Sequence, residues 1–191
     1  MTPVEAREAI VEYCRLLWDR RLVTGTSGNV SVRLDDGDLI VTPAQASLRS
    51  LSTADLVQTD ARGNSREAGK ISTSELPLHL SAYAARPDAQ AVIHTHPTFC
   101  VVWSTTGGIF RRDTVGARES LGEVAWTPYA PPGSQDLADV TAREFSRGID
   151  TVLMERHGVS AIGLTLERAF ILTDLAEEAA RLEFFRNLIN R

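Results

Sequence analysis

The sequence predicts an α/β domain, a mixed and largely antiparallel sheet with helices on both sides. Two patterns carry this expectation. Short β-branched or alternating stretches double back through tight turns, as residues 30–34 do through Asp35-Asp36-Gly37 into residues 39–42. Longer stretches with apolar residues at helical spacing stand before, between and after these strands. No repeat, linker or low-complexity segment divides the 191 residues, so residues 1–191 read as one domain.

Composition narrows the function classes. The formal net charge is −5, which argues against a nucleic-acid surface but leaves room for a local basic pocket for an anionic metabolite. No apolar run approaches the length of a membrane span, and Met1-Thr2-Pro3-Val4-Glu5 lacks the basic start and apolar core of a signal peptide. A cytoplasmic protein without membrane or nucleic-acid partners is the expectation. Cys14 and Cys100 both sit in apolar segments with no CxxC, and read as reduced core residues.

The elements follow in order. Thr2, Pro3 and Glu5 form a helix start with a capping box, and Val4, Ile10, Val11, Cys14, Leu17 and Trp18 continue at helical spacing to about Arg20. Thr24-Gly25-Thr26-Ser27-Gly28-Asn29 is a small-residue turn; its N–H groups can form a concave anion site, or it is an ordinary helix-to-strand turn. After the first hairpin, residues 52–56 predict one short capped helical turn and residues 57–60 a strand. A second long helix is predicted from Ser72-Thr73-Ser74-Glu75 to Arg86-Pro87, with Ser72 as N-cap and Glu75 closing a capping box. His79, one turn later, reads as a packed histidine.

Residues 99–103 are a buried helix or strand, and Thr105-Thr106-Gly107-Gly108 a loop. Arg111, Arg112 and Arg118 with Asp113 and Glu119 form a mixed-charge region that reads as a solvated or subunit-contact surface. A strand at 124–127 and a proline-rich loop carrying Tyr129 lead to a helix capped by Ser134 and stopped near Gly148. Strands at 151–154 and 159–163 flank the tight turn Arg156-His157-Gly158. Thr165 caps a long amphipathic helix to about Ile189, whose acidic pair Glu177 and Glu178 reads as its solvated side.

The chemistry concentrates in Ala91-Val92-Ile93-His94-Thr95-His96-Pro97. This is a strand ended by proline, and alternation puts His94 and His96 on one side and Thr95 on the other. The pair suits a metal ion, since neutral imidazole is a good ligand for zinc and its neighbours; it also suits two hydrogen-bonded core histidines. The chain has four histidines. His157 stands in a glycine turn between two strands, and His94, His96 and His157 together would leave a coordination position open. Glu75, at a helix mouth, is the natural carboxylate to act as ligand or as general acid and base.

In this order and spacing the motifs resemble the class II aldolase/adducin family over nearly the whole chain. Thr26-Ser27-Gly28-Asn29-Val30-Ser31-Val32-Arg33 is similar to the family's phosphate loop and strand, Thr73-Ser74-Glu75 to its Ser-Ser-Glu, and Ala82-Tyr83 with Arg86-Pro87-Asp88 to the helix that follows. Residues 91–96 match its His-x-His strand, and His157-Gly158 with Gly163 its third zinc histidine and hairpin. The resemblance implies a three-layer α/β/α fold and a C4 homotetramer with active sites at subunit interfaces. It implies a zinc ion, with Mn²⁺ or Co²⁺ as other candidates, bound by His94, His96 and His157. Glu75 completes the shell at rest and moves protons in turnover, while Gly28, Asn29, Thr73 and Ser74 hold the substrate phosphate. The implied activity is reversible cleavage of a ketose 1-phosphate to dihydroxyacetone phosphate and an aldehyde through a metal-stabilised ene-diolate.

Departures bear on the substrate. The family loop Thr-Pro-Thr-Gly reads Thr42-Pro43-Ala44-Gln45 here, which reshapes one side of the phosphate pocket. No tyrosine stands near Thr114-Val115, where a relative supplies its interface proton donor; Tyr129 matches a different family tyrosine, and the C-terminal extension carrying another is not in this sequence. Decarboxylating aldolases and dehydratases of phosphorylated sugars share the glutamate. Ser74, where some decarboxylating relatives carry lysine, favours the aldolase. A pentulose-phosphate 4-epimerase would carry aspartate at position 75, and a non-catalytic adducin-like assembly domain would lack the ligands.

Overall fold

The structure is a computed structural model that describes residues 1–107 and 110–189. Gly108, the end of the loop predicted at 105–108, lies outside the described residues. Helix α1 (Pro3–Asp19) opens with the predicted capping box: the Thr2 hydroxyl accepts from the Glu5 N–H, and the Glu5 carboxylate accepts from the Thr2 N–H. Strands β1 (Asn29–Arg33) and β2 (Leu39–Val41) form the first hairpin, and β3 (Val57–Thr59) pairs with β2. Then come helix α2 (Leu76–Ala85), strand β4 (Ala91–Thr95), helix α3 (Thr98–Ser104) and strand β5 (Val124–Thr127). Helix α4 (Gln135–Ser146), strands β6 (Thr151–Met154) and β7 (Gly158–Gly163) and helix α5 (Leu166–Ile189) complete the chain.

One seven-stranded sheet runs in the order β3-β2-β1-β4-β7-β6-β5. Its described pairings are antiparallel except β5 with β6, and the short turns between β1 and β2 and between β6 and β7 require that direction for those two pairs. Strand alternation sends Val30, Val32, Ala91 and Ile93 to one face, into a core shared with α1 and the start of α5. Cys100 of α3 joins Val159 and Ala161 under α5 on the same side. Val92, Val152 and Ile162 face the other way, against Leu78 and Tyr83 of α2 and Leu137 and Phe145 of α4. The molecule is therefore a three-layer α/β/α sandwich, with β1, β4 and β7 at the centre of the sheet.

Three local expectations give way. The helical turn predicted at 52–56 is a plain turn: the Asp55 N–H bonds the Ser52 carbonyl, the Ser52 N–H and hydroxyl bond the Asp55 carboxylate, and no helix follows. The short 3₁₀ turn stands just before it, at Leu48–Ser50. Helix α2 begins at Leu76, not at Ser72. Ser72 and Thr73 are drawn into extended backbone by the Pro43–Ser72 bridge and by the Thr73 N–H bond to the Thr42 carbonyl, so no capping box forms.

Glu177 is not on a merely solvated face. Its carboxylate accepts from the Phe99 and Cys100 N–H groups, at 3.0 and 2.9 Å, and so caps the first turn of α3 from a different helix. Among the described residues, Glu178 makes the exposed pair with Arg181. Glu177→Ala is therefore expected to lower stability in urea unfolding by about 1–2 kcal/mol, the worth of two charge-assisted bonds to helix N–H groups. Glu178→Ala is expected to change it little.

Candidate metal centre

The end of β4 sets the site. Register pairs His94 with Asn29 of β1 on one side and with Ser160 of β7 on the other, and His94 shares a face with Val92. His96 lies one residue beyond the strand, before Pro97 begins the turn into α3. His157 is delivered by the turn between β6 and β7, in which Arg156 takes a left-handed backbone (φ +56°) and the His157 N–H bonds the Met154 carbonyl. That turn packs against the β4 end so closely that a Cβ on Gly158 would stand 2.2 Å from the Thr95 carbonyl oxygen. Only glycine admits the approach.

The three imidazoles meet there. Ring centroids are 4.7 Å (His94–His96), 4.7 Å (His94–His157) and 4.9 Å (His96–His157) apart. One nitrogen from each falls within 4.8 Å of the others. His94 donates its Nδ1–H to the Val159 carbonyl at 3.1 Å, which leaves its Nε2 bare and 2.8 Å from His96 Nε2. Two ring nitrogens at that distance call for a proton or a cation to join them. Burial pulls all three histidines below their usual range, His157 to about 4, and for His94 the neighbouring rings add to the effect. Near pH 7 they are neutral, the form that binds metal.

Glu75 sits at the N-cap position of α2 without capping it. Its carboxylate is buried, with Oε1 4.0 Å from His157 Nε2. Burial raises its pKa, opposed by the N–H that Gly133 donates to it. Glu75 Oε2 and His157 Nδ1 are enclosed without a hydrogen-bond partner. Three neutral imidazoles and an unsatisfied carboxylate are the donor set of Zn²⁺ and its first-row neighbours, and these residues fit such an ion.

The other residues expected at the site line the same cleft of about 370 Å³. Gly28 (φ +82°) lies beneath Val23 and the His94 carbonyl, where a Cβ would come within 2.5 and 3.0 Å of them. Asn29, Thr73 and Ser74 also face the cleft. Thr73 is partly committed, since its N–H bonds the Thr42 carbonyl and its hydroxyl accepts from the Glu75 N–H, leaving the hydroxyl proton free to donate. His79 lies beside the cleft and is packed, as predicted.

Two further cleft residues bear on what it can hold. Gln45 takes a left-handed backbone (φ +55°), the conformation a glycine would suit, and so brings its side chain to the wall. Arg156 was passed over in the sequence, although its place beside His157 in a tight turn was a usable signal; it is the cation among the described wall residues other than the histidines.

Residues 8–184 match the sequence model described as Class II Aldolase and Adducin N-terminal domain. An L-fuculose phosphate aldolase of Methanococcus maripaludis is 35% identical over 178 residues, covering 93% of this chain and 95% of that one. A 3-oxo-tetronate 4-phosphate decarboxylase of Haemophilus influenzae is 31% identical, covering 96% and 89%. The solved structure of an L-fuculose 1-phosphate aldolase superposes with a TM-score of 0.90 at 26% identity, covering 98% of this chain and 88% of that one. The chain belongs to the class II aldolase and adducin family.

Adding Zn²⁺ to chelator-treated protein is expected to raise the thermal unfolding midpoint, as any ion held by the folded chain and not by the unfolded one does. His157→Ala is expected to abolish that rise and to cut the zinc retained after gel filtration, measured by plasma mass spectrometry, from about one ion per chain to a small fraction.

Proposed function

We propose that this member of the class II aldolase and adducin family is a zinc-dependent aldolase that cleaves a ketose 1-phosphate to dihydroxyacetone phosphate and an aldehyde. The observation that carries the reading is the convergence on one cleft of buried His94 and His157, half-buried His96 and a Glu75 carboxylate whose Oε2 has no partner among the described residues. In the reading, His94, His96 and His157 hold the ion, with Glu75 as its fourth ligand at rest. When bound, the ion supplies the Lewis acidity that stabilises the ene-diolate left as the C3–C4 bond breaks.

The chain's own residues do the rest. Gly28, Asn29, Thr73 and Ser74 hold the phosphate at one end of the cleft through N–H and hydroxyl donors, which fixes the carbon chain relative to Glu75. Glu75 takes or returns the proton on the dihydroxyacetone phosphate carbon. Its raised pKa suits that exchange, because a carboxyl nearer neutrality both gives and takes a proton readily. A cytoplasmic C4 tetramer with sites at subunit interfaces belongs to the same reading. It is supported by exposed apolar side chains on α3 and α5, Val102, Leu182, Phe185 and Leu188.

A decarboxylating aldolase is the second reading. Arg156 on the cleft wall favours it, since a guanidinium there would pair with a substrate carboxylate, and the Haemophilus relative is named a decarboxylase. The test is a panel of ketose 1-phosphates with Zn²⁺ present, followed by dihydroxyacetone phosphate release, with phosphorylated 3-oxo acids run beside it for CO₂ release. Dihydroxyacetone phosphate release that falls at least about a hundredfold in Glu75→Gln is expected. Release of CO₂ alone from metal-replete protein would replace the aldolase reading by the decarboxylase.

A further inference from the structure

We propose that His79 is a positioning residue: it holds the Asn29 side-chain amide with its NH₂ edge, not its carbonyl oxygen, turned to the cleft as a donor to the substrate phosphate. The proposal rests on the reading that Asn29 meets that phosphate. His79 is the one histidine of the chain's four outside the metal group, and it is fully enclosed between α2 and the sheet. Its Nε2 lies 2.6 Å from Asn29 Oδ1 and its Nδ1 2.7 Å from Ser31 Oγ. Ser31 Oγ in turn lies 2.9 Å from the Tyr83 hydroxyl.

An amide presents either a donor or an acceptor edge, and nothing in the amide itself selects between them. Here the selection comes from the far end of the chain of hydrogen bonds. Tyr83 is enclosed, so its hydroxyl proton needs an acceptor within hydrogen-bond reach. Ser31 Oγ is the acceptor in reach. The Ser31 proton then goes to His79 Nδ1. Burial holds His79 neutral, pulling its pKa to about 3, so it carries one ring proton, and that proton sits on Nε2. Nε2–H donates to Asn29 Oδ1, and the two Nδ2 protons, which no described residue takes, are left for the cleft. The reverse order would strand the Tyr83 proton in the interior and point Asn29 Oδ1 at an anion. Each costs free energy.

The experiment titrates glycerol phosphate into zinc-loaded protein by calorimetry. His79→Leu and Asn29→Ala are each expected to weaken binding about tenfold, the double variant no more than either alone, and His79→Gln, which keeps an N–H near the Nε2 position, to recover most of the affinity. Folded His79→Leu with the parent's affinity, beside a weakened Asn29→Ala, overturns the positioning role alone. An unchanged Asn29→Ala overturns the phosphate reading and the proposal with it. Long-range ¹H–¹⁵N spectra of the parent protein give a second test that needs no variant. They are expected to show the Nε2–H tautomer of His79, and an Nδ1–H tautomer overturns the proposal even if His79→Leu does not fold.

Discussion

The register of β4 between β1 and β7 is the constraint on which the site depends. One row across the sheet reads Asn29, His94, Ser160. A slip of one residue would send His94 to the α1 and α5 side and put Thr95 in its place. Hydrophobic burial alone is a weak guard against that slip, because both faces of this sheet are covered by helices and both want apolar side chains. Contacts at the strand end discriminate better. Gly28 passes under the His94 carbonyl, Gly158 passes against the Thr95 carbonyl, and His94 Nδ1–H finds the Val159 carbonyl only in this alignment. The residues that fix the register are thus the ones that surround the three clustered histidines.

A second constraint positions Glu75. Strand β1 alternates Val30 and Val32 with Asn29, Ser31 and Arg33, and a strand of that kind ordinarily turns its polar side to water. Here α2 covers it. A buried polar group without a partner costs about 1–3 kcal/mol, so each of the three needs one, and α2 supplies them. Asn29 and Ser31 bond His79, and Ser31 also meets Tyr83. Arg33 stacks on Tyr83 at 4.8 Å and donates to the carbonyls of Arg86, Pro87 and Ala89, where the end of α2 leaves acceptors open and carries partial negative charge. This polar seam sets the axial position of α2. The helix's first residues, and Glu75 just ahead of them, are carried to the cleft as a consequence.

The two hairpins, the His-x-His face, His157 and the capped starts of α1, α4 and α5 were legible because each is written within a few residues. The start of α2 was misread because Ser72-Thr73-Ser74-Glu75 has the spacing of a capping box, whereas Pro77, in the first turn, marked the true start. The competing force, extended pairing of Ser72 with Pro43, comes from a segment about thirty residues away. Glu177 as the cap of α3, and Asn29, Ser31 and His79 as one network, join residues separated by 77, 48 and 50 positions. No local pattern encodes such pairs, and a polar residue whose partner is distant looks the same in sequence as a solvated one. Arg156 differs, since it stands next to His157 in the same turn and its signal is local.

The centre itself runs against stability. Glu75 accepts from Gly133 but keeps Oε2 unsatisfied, His157 Nδ1 has no partner, and His94 and His96 set two ring nitrogens 2.8 Å apart. Each feature is unfavourable in the protein alone, while Ser31, His79 and Arg33 close by find partners. A divalent cation meets all these demands at once, giving the lone pairs an acceptor and the buried carboxylate a counter-charge. The same incompleteness that costs stability leaves Glu75 Oε2 untethered.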